Sequence, residues 1–172
     1  MKRAFSVVLL ALVLSSSLLV ALSYPATAQE EEHIWYNWVI EGNETEENKI
    51  IEVHGDVIVE NGGSLTLDDC VLKIDSKIPG HNGINVESGG GLYVYNSTIT
   101  AYLEMELYTF EVHGDLEIEN SDISCMFNWG IGIFDTKNVS VKNSRIHDNG
   151  PYAIGIAVDN STGTITGNDI YN

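Results

Sequence analysis

Short runs of alternating apolar and polar residues dominate the chain from about residue 50 onward. The run from Val57 to Leu72 and the run from Ile84 to Ile99 match position for position at an offset of 27 residues. Alternation at period two is the pattern of a β-strand with one buried face. Its recurrence predicts one supersecondary unit that stacks on copies of itself.

The repeat core is apolar-x-apolar-x-Asn-small-x-apolar, and five copies align on a central apolar residue. The steps between the central residues are 27, 24, 23 and 24, for Leu67, Val94, Ile118, Val141 and Ile165. The runs are rich in β-branched residues and are separated by Gly, Asn and Asp, which is the composition typical of strands joined by turns. Leucine-rich repeats would need Leu at fixed sites and a helical back, so we predict an all-β parallel β-helix of about five coils.

An acidic or amide residue recurs once per coil at the same bend, as Asp69, Asn96, Asn120 and Asn143. Asn tolerates the left-handed backbone that a tight bend needs, and stacked amides can bond along the axis. We therefore interpret this column as a structural ladder rather than a ligand site. Cys70 falls in the small-residue column that follows, which predicts a buried residue and, with Cys125 two coils away, two free thiols.

Two insertions lengthen the period. Residues 73–83 contain Pro79-Gly80 and predict a protruding loop. Residues 100–109 keep strict alternation, which predicts a long strand or a hairpin flap. One face of that strand would carry Tyr102, Glu104, Glu106 and Tyr108.

The first 28 residues have the pattern of a signal peptide. Lys2 and Arg3 precede an apolar stretch over residues 5–22, and Ala26-Thr27-Ala28 fits the small-residue cleavage rule. We expect cleavage after Ala28 and a secreted or cell-surface protein; the alternative is an uncleaved anchor helix. The segment 29–49 is acidic and aromatic, which predicts a cap on the first coil or, as the alternative, an aromatic binding platform.

The charge is strongly acidic. The chain has 25 Asp and Glu against 8 Lys and Arg, a formal net charge of −17, and removing residues 1–28 with two of the basic residues makes it −19. Such a surface opposes binding to nucleic acid, whose phosphates need a basic face. It suits a solvated exterior that meets cations, and calcium is the cofactor that it would permit.

The xVxVxxGGxLxLxNSxI pattern resembles right-handed parallel β-helix repeat proteins, the pectin-lyase-like and NosD-like group of prokaryotic surface proteins. The resemblance covers residues 50–172. It implies the fold, but members include polysaccharide lyases, hydrolases and non-enzymatic adhesion modules. The Asn-Thr-Asp, Gly-His-Gly and Arg-Ile-Lys motifs of the polygalacturonase-like enzymes are missing, so no catalytic residue is assigned.

Aromatic residues beside carboxylates are the main candidates for ligand binding. Tyr93 and Tyr95 point outward from their run, and they break the repeat rule because other copies carry small or charged residues there. Flat rings can stack on sugars while carboxylates accept hydroxyl bonds. The predicted glycan site is Tyr93, Tyr95, Tyr102, Glu104, Glu106 and Tyr108; the alternative is ordinary strand surface.

Three charged residues align on successive coils: Asp122, Arg145 and Asp169. Their simplest interpretation is a surface salt-bridge column, and the alternative is a lyase-like arginine base beside a calcium-binding aspartate. His54 and His113 share a Val-His-Gly-Asp sequence, which indicates a repeated turn rather than a site. The sequence contains no cluster of His, Cys and Met residues that would predict a metal site.

Three sequons are candidate glycosylation sites, at Asn43, Asn138 and Asn160. The expected role is an exported β-helix module that is structural, adhesive or glycan-contacting. The alternatives are a polysaccharide lyase or hydrolase and a calcium-dependent surface-layer component. Expected partners are a polysaccharide or cell-envelope glycan. Because the chain stops inside a repeat, we also expect end-to-end self-association or continuation into a longer array.

Overall fold

The computed structural model describes residues 29–103, 105–151 and 153–172. The predicted signal segment and Glu104 therefore lie outside the described residues. Regular structure in the described part is entirely β. The strands are β1 Glu30–Ile34, β2 Trp38–Ile40, β3 Asn43–Glu47, β4 Lys49–Val53, β5 Val57–Val59, β6 Ser64–Asp68, β7 Val71–Ile74, β8 Gly83–Val86, β9 Gly91–Tyr95, β10 Thr98–Ala101, β11 Tyr108–Val112, β12 Asp115–Glu119, β13 Asp122–Ser124, β14 Met126–Phe134, β15 Val139–Lys142, β16 Arg145–His147, β17 Ile156–Asp159, β18 Gly163–Thr166 and β19 Asp169–Ile170.

Each strand pairs in parallel with the strand three positions later in the chain, so the chain winds through three sheets. Sheet A is β1-β4-β7-β10-β13-β16-β19, sheet B is β2-β5-β8-β11-β14-β17, and sheet C is β3-β6-β9-β12-β15-β18. The predicted parallel solenoid is confirmed, with five coils from β4 to β18. Residues 30–47, which were expected to form a cap, supply one strand to each sheet and so form a further coil at the end of the stack.

The inward columns are continuous through the stack. Leu67 pairs with Val94, Val94 with Ile118, and Ile118 with Val141, so the columns follow the alignment of the repeats. All four side chains are fully buried. Burying one such side chain stabilises the fold by about 1.5–3 kcal/mol, and this interior holds the coils together. In the last coil Ile165 is 43% exposed.

The predicted ladder residues occupy the corner between sheets C and A. Asp69, Asn96, Asn120 and Asn143 have φ between 50° and 52°, and the column extends to Asn48 and Gly167 at 56° and 68°. Their side chains are exposed. The amide of Asn96 donates to the carboxylate of Asp68 at 3.0 Å, so its side-chain bond runs to the neighbouring column.

Axial side-chain bonds run instead through the column of small residues that follows. The backbone N–H of Cys70 donates to Ser97 Oγ at 2.9 Å, and that of Ser97 to Ser121 Oγ at 3.1 Å. Ser121 N–H donates to Ser144 Oγ at 3.1 Å, and Ser144 N–H to Asn168 Oδ1 at 2.9 Å. The stacking that we assigned to the exposed amides is thus provided by a buried hydroxyl column.

The second insertion differs from its prediction. Strand β10 ends at Ala101 and β11 begins at Tyr108, with a turn between them. The chain changes sheets in this turn, so the alternation restarts with the opposite phase. Tyr108 is fully buried, whereas Leu103 and Met105 are 55% and 84% exposed. The outward role predicted for Tyr108 is therefore wrong, and burial raises the pKa of its phenol well above the ordinary value.

The first insertion forms the loop between β7 and β8, and Gly80 N–H donates to the carbonyl of Leu107 at 2.7 Å. The two insertions thus meet at the corner between sheets A and B. Cys70 and Cys125 are free and buried, as predicted. A search of the described residues finds no helix long and apolar enough to cross a membrane.

Candidate functional site

Tyr93 and Tyr95 lie on the outer face of sheet C. Both belong to β9, whose inward residues are buried. In the next coil Glu117 is paired with Tyr93, and Glu119 with Tyr95. Partial burial raises the pKa of Tyr95, and a hydrogen bond with the Glu117 carboxylate raises it further. The structure therefore brings the two tyrosines together with carboxylates.

The ring of Tyr93 lies across Gly91. A Cβ on Gly91 would be only 2.7–3.0 Å from the hydroxyl oxygen and two ring carbons of Tyr93. The missing side chain thus leaves room for the Tyr93 ring to reach back over its own strand. The ring borders a groove of about 350 Å³ that crosses four coils. The lining polar residues are Tyr93, Asp115, Glu117, Lys137, Asn138, Ser140 and Thr164.

The remaining residues of the predicted glycan site lie elsewhere. Tyr102 follows β10 at the end of its sheet A strand and is 39% exposed. Glu106 lies in the same turn, Tyr108 is in the core, and Glu104 lies outside the described residues. The six-residue set is therefore split, and only Tyr93 and Tyr95 share one face.

The charged column on sheet A has the pairing that the alignment predicts. Asp122 pairs with Arg145, and Arg145 pairs with Asp169. Arg145 Nη1 is 2.9 Å from Asp122 Oδ2, and Nη2 donates to the Tyr171 hydroxyl at 2.6 Å. The bond to Tyr171 and the charge of Asp122 raise the pKa of Arg145. That direction opposes its use as a base.

His147 extends this column, although its sequence position did not suggest it. Its Nε2 is 2.6 Å from Asp122 Oδ1, and its Nδ1 is 2.8 Å from Asp148 Oδ2. The ring stacks on Tyr171 with centroids 5.1 Å apart. The group is an ion-pair network at the surface, which contributes little stability.

The corner after the sheet A strands carries a second polar and aromatic group that the sequence analysis missed. Trp35, His54, Asp75 and Tyr102 follow β1, β4, β7 and β10 directly, so they stack on four successive coils. Trp35 and His54 have parallel rings, 6° apart, with centroids separated by 4.3 Å. Trp35 leaves 65% of its surface exposed.

Two buried carboxylates organise this corner. Glu52 and Asp75 are 4% and 6% exposed. Asp75 Oδ2 lies 2.6 Å from His54 Nδ1. Glu52 lies 3.1 Å from His33 Nδ1 and 2.7 Å from Lys73 Nζ.

His54 Nε2 is buried and has no hydrogen-bond partner among the described residues, and the neighbouring carboxyls of Asp75 and Glu106 hydrogen-bond to each other. Burial and the Asp75 charge raise the pKa of Glu106. An open cavity of about 350 Å³ adjoins His54 and Asp75. An unpartnered buried polar atom is costly, so the position of His54 Nε2 beside a cavity indicates a site that can accept a ligand.

The shared Val-His-Gly-Asp sequence misled the interpretation of the histidines. His54 follows β4 of sheet A, whereas His113 follows β11 of sheet B, so the two occupy different corners. The sequence showed no cluster of metal-ligating residues, but the fold brings three such residues together. His33, Glu52 and His54 each place one ligand atom within 4.8 Å of the others. Aligning β1 with β4 would have found the cluster, since His33 pairs with Glu52.

The three candidate glycosylation sites, Asn43, Asn138 and Asn160, are exposed. The amides of Asn138 and Asn160 donate to Asp115 and Asp135 of the preceding coil, at 3.0 and 2.6 Å. These amide bonds provide a structural reason for asparagine at both positions.

Comparison with known families agrees with this architecture. The family model described as right handed beta helix region matches residues 34–172, which is most of the chain. The match begins within β1 and so includes most of the first coil. No curated protein and no solved structure matches the chain. The chain belongs to the right-handed β-helix family.

Proposed function

We propose that the protein is an exported β-helix module that contacts a hydroxyl-rich glycan through the outer face of sheet C. The single observation that carries this proposal is the ring of Tyr93, which lies over Gly91 at the border of a groove. An aromatic face that is fixed in this way can pack on the apolar face of a sugar ring without losing side-chain freedom.

Polar groups along the groove supply the bonds that sugar hydroxyls need. Glu117 presents a carboxylate acceptor, and Thr164 presents a hydroxyl two coils further on, with Ser140 between them. Ser140 Oγ is buried and has no partner among the described residues. Paired strands lie about 4.8 Å apart, so these groups form a polar row parallel to the solenoid axis, along which a linear glycan could lie.

Charge selects among glycans. The chain has a net charge of −17, and the groove is lined by Asp115 and Glu117 against one lysine, Lys137. A polyanionic chain would be repelled by this field. Neutral or amino-substituted polysaccharides are therefore the expected ligands, and acidic polyuronates are not. Export is supported by the apolar N-terminal segment and its Ala26-Thr27-Ala28 cleavage pattern.

Affinity gel electrophoresis of the exported protein tests this proposal. Gels would contain a neutral β-glucan, a mannan, chitosan or a polygalacturonate. We expect retardation by at least one of the first three polymers, and we expect Tyr93→Ala to lose it. Tyr36→Ala is the matched control because Tyr36 is 82% exposed and lies outside the groove. Equal retardation of both variants, or no retardation of the unmodified protein, would contradict glycan contact through the groove.

A further inference from the structure

We propose that His33, Glu52 and His54 form a binding site for a divalent transition-metal ion, with Zn²⁺ as the preferred occupant. One ligand atom from each residue lies within 4.8 Å of the other two. The three residues come from the first two coils: His33 and Glu52 are paired in β1 and β4, and His54 follows β4. The site is separate from the proposed glycan groove, which lies on sheet C.

The donor set fits zinc. Two imidazole nitrogens and one carboxylate oxygen are a frequent ligand set, with metal–ligand distances of about 2.0–2.2 Å. Ligand atoms around a tetrahedral ion are then about 3.3 Å apart. His33 Nδ1 is already 3.1 Å from Glu52 Oε2. The His33 side chain is 41% exposed, so its ring can move by the small amount that closing the site requires.

His54 is prepared as a ligand by its other nitrogen. Its Nδ1 lies 2.6 Å from Asp75 Oδ2, and the carboxylate holds a proton on that nitrogen. The lone pair is then on Nε2, which is buried and has no partner among the described residues. Histidines that bind zinc usually donate the N–H of their other ring nitrogen to a carboxylate in this way. Trp35 stacks on the ring and fixes its plane.

Charge balance also favours a cation at this corner. Glu52 and Asp75 are both nearly fully buried, and Lys73 is the basic side chain that contacts Glu52. With both histidines neutral, these three charged groups leave one negative charge at the site. Buried charges are normally paired or coordinate metals. A divalent ion would offset this negative charge, leaving one positive charge, and would accept the free lone pair of His54.

Imidazole and carboxylate ligands together select among ions. Calcium and magnesium prefer all-oxygen ligands, whereas imidazole suits zinc, copper and nickel. Three protein ligands would leave a fourth position for water or another ligand, as in open zinc sites. A protonated His33 paired with Glu52 is the competing explanation of the same contacts, and it predicts no preference for transition metals.

Isothermal titration of the metal-free exported protein with Zn²⁺, in excess Mg²⁺ and Ca²⁺, tests the site. We expect one high-affinity site per chain and, after Co²⁺ loading, the intense visible absorption of a low-coordinate ion. His33→Ala and His54→Ala should each abolish both signals. Asp75→Asn should weaken binding about 10–100-fold. His113→Ala is the matched control, because His113 lies in the second copy of the Val-His-Gly-Asp sequence, at a different corner of the solenoid.

Zinc binding that survives His33→Ala and His54→Ala unchanged would overturn the proposal. Failure of the unmodified protein to bind zinc in excess Mg²⁺ and Ca²⁺ would also overturn it. Far-UV circular dichroism of His33→Ala, a change on an exposed residue, separates ligand loss from unfolding. Tyr93→Ala should bind zinc normally, so failure of the metal site and failure of the glycan groove are distinguishable.

Discussion

Replacement of Ser121 by alanine should destabilise the solenoid, although it removes only one buried oxygen atom. Ser121 Oγ accepts the backbone N–H of Ser97 at 3.1 Å and donates to the carbonyl of Glu119 at 2.8 Å. The residue is 5% exposed, so water cannot easily replace the hydroxyl. The Glu119 carbonyl retains a second donor, the N–H of Asn96. The main cost therefore falls on the N–H of Ser97.

The magnitude follows from the penalty for an unsatisfied buried donor. Leaving such a group without a partner costs about 1–3 kcal/mol, so we expect the free energy of unfolding to fall by about 2 kcal/mol. Ser140→Ala is the matched control, since Ser140 Oγ is buried without a partner among the described residues. That substitution breaks no hydrogen bond and removes an unpaired buried hydroxyl, so it should leave the free energy of unfolding unchanged or raise it.

Urea unfolding followed by far-UV circular dichroism measures both variants against the unmodified protein. The two serine variants should have similar m-values and different midpoints, because the surface exposed on unfolding is nearly unchanged. If Ser121→Ala is as stable as Ser140→Ala, the hydroxyl column contributes no net stability and the reasoning from buried donors fails.

Three further outcomes follow from the corners and the buried groups. Asn120 has a φ of 52°, so Asn120→Gly should be tolerated while Asn120→Ala lowers the unfolding free energy by about 1–2 kcal/mol; equal urea midpoints would contradict this. Cys70 and Cys125 are buried, and burial raises the pKa of Cys70; both thiols should resist a thiol-reactive dye until the protein unfolds, and immediate labelling of the native protein would show the packing to be wrong. Glu106 has a raised pKa in the folded protein because of burial and the nearby Asp75 carboxyl. Just above the ordinary carboxyl pKa the folded state therefore binds more protons than the unfolded state, and stability falls as pH rises there. Glu106→Gln should flatten this fall in thermal melts, and an unchanged pH profile would count against the contact between Glu106 and Asp75.

The inward columns could be predicted from the sequence because every coil imposes the same requirement on them. Leu67, Val94 and Ile118 fill the same interior and therefore share size and chemistry, so their alignment gives the register directly. The bend residues were equally visible, since Asn96 and its counterparts adopt a backbone that few residue types tolerate.

Outward residues follow no such rule, and this explains what the sequence did not predict. The corner formed by His33, His54 and Asp75 depends on the register between β1 and the later strands. That register was hidden because the first coil has Glu44 and Glu46 where the next coil has Leu65 and Leu67. Tyr108 was misplaced because the turn before it resets the alternation. The role of Ser121 was hidden because the sequence shows a small residue at this position but does not show whether its hydroxyl forms hydrogen bonds along the axis.

Glycan contact through the groove is tested most directly by nitrogen–proton correlation spectra of the protein during titration with an oligosaccharide of the polymer that retards it in affinity gels. We expect chemical-shift changes to centre on the amides of Tyr93, Glu117 and Ser140, on three successive strands of sheet C. Tyr93→Ala should remove those changes while leaving the remaining spectrum intact. Shift changes centred on Trp35 and His54, or no change at saturating oligosaccharide, would contradict it.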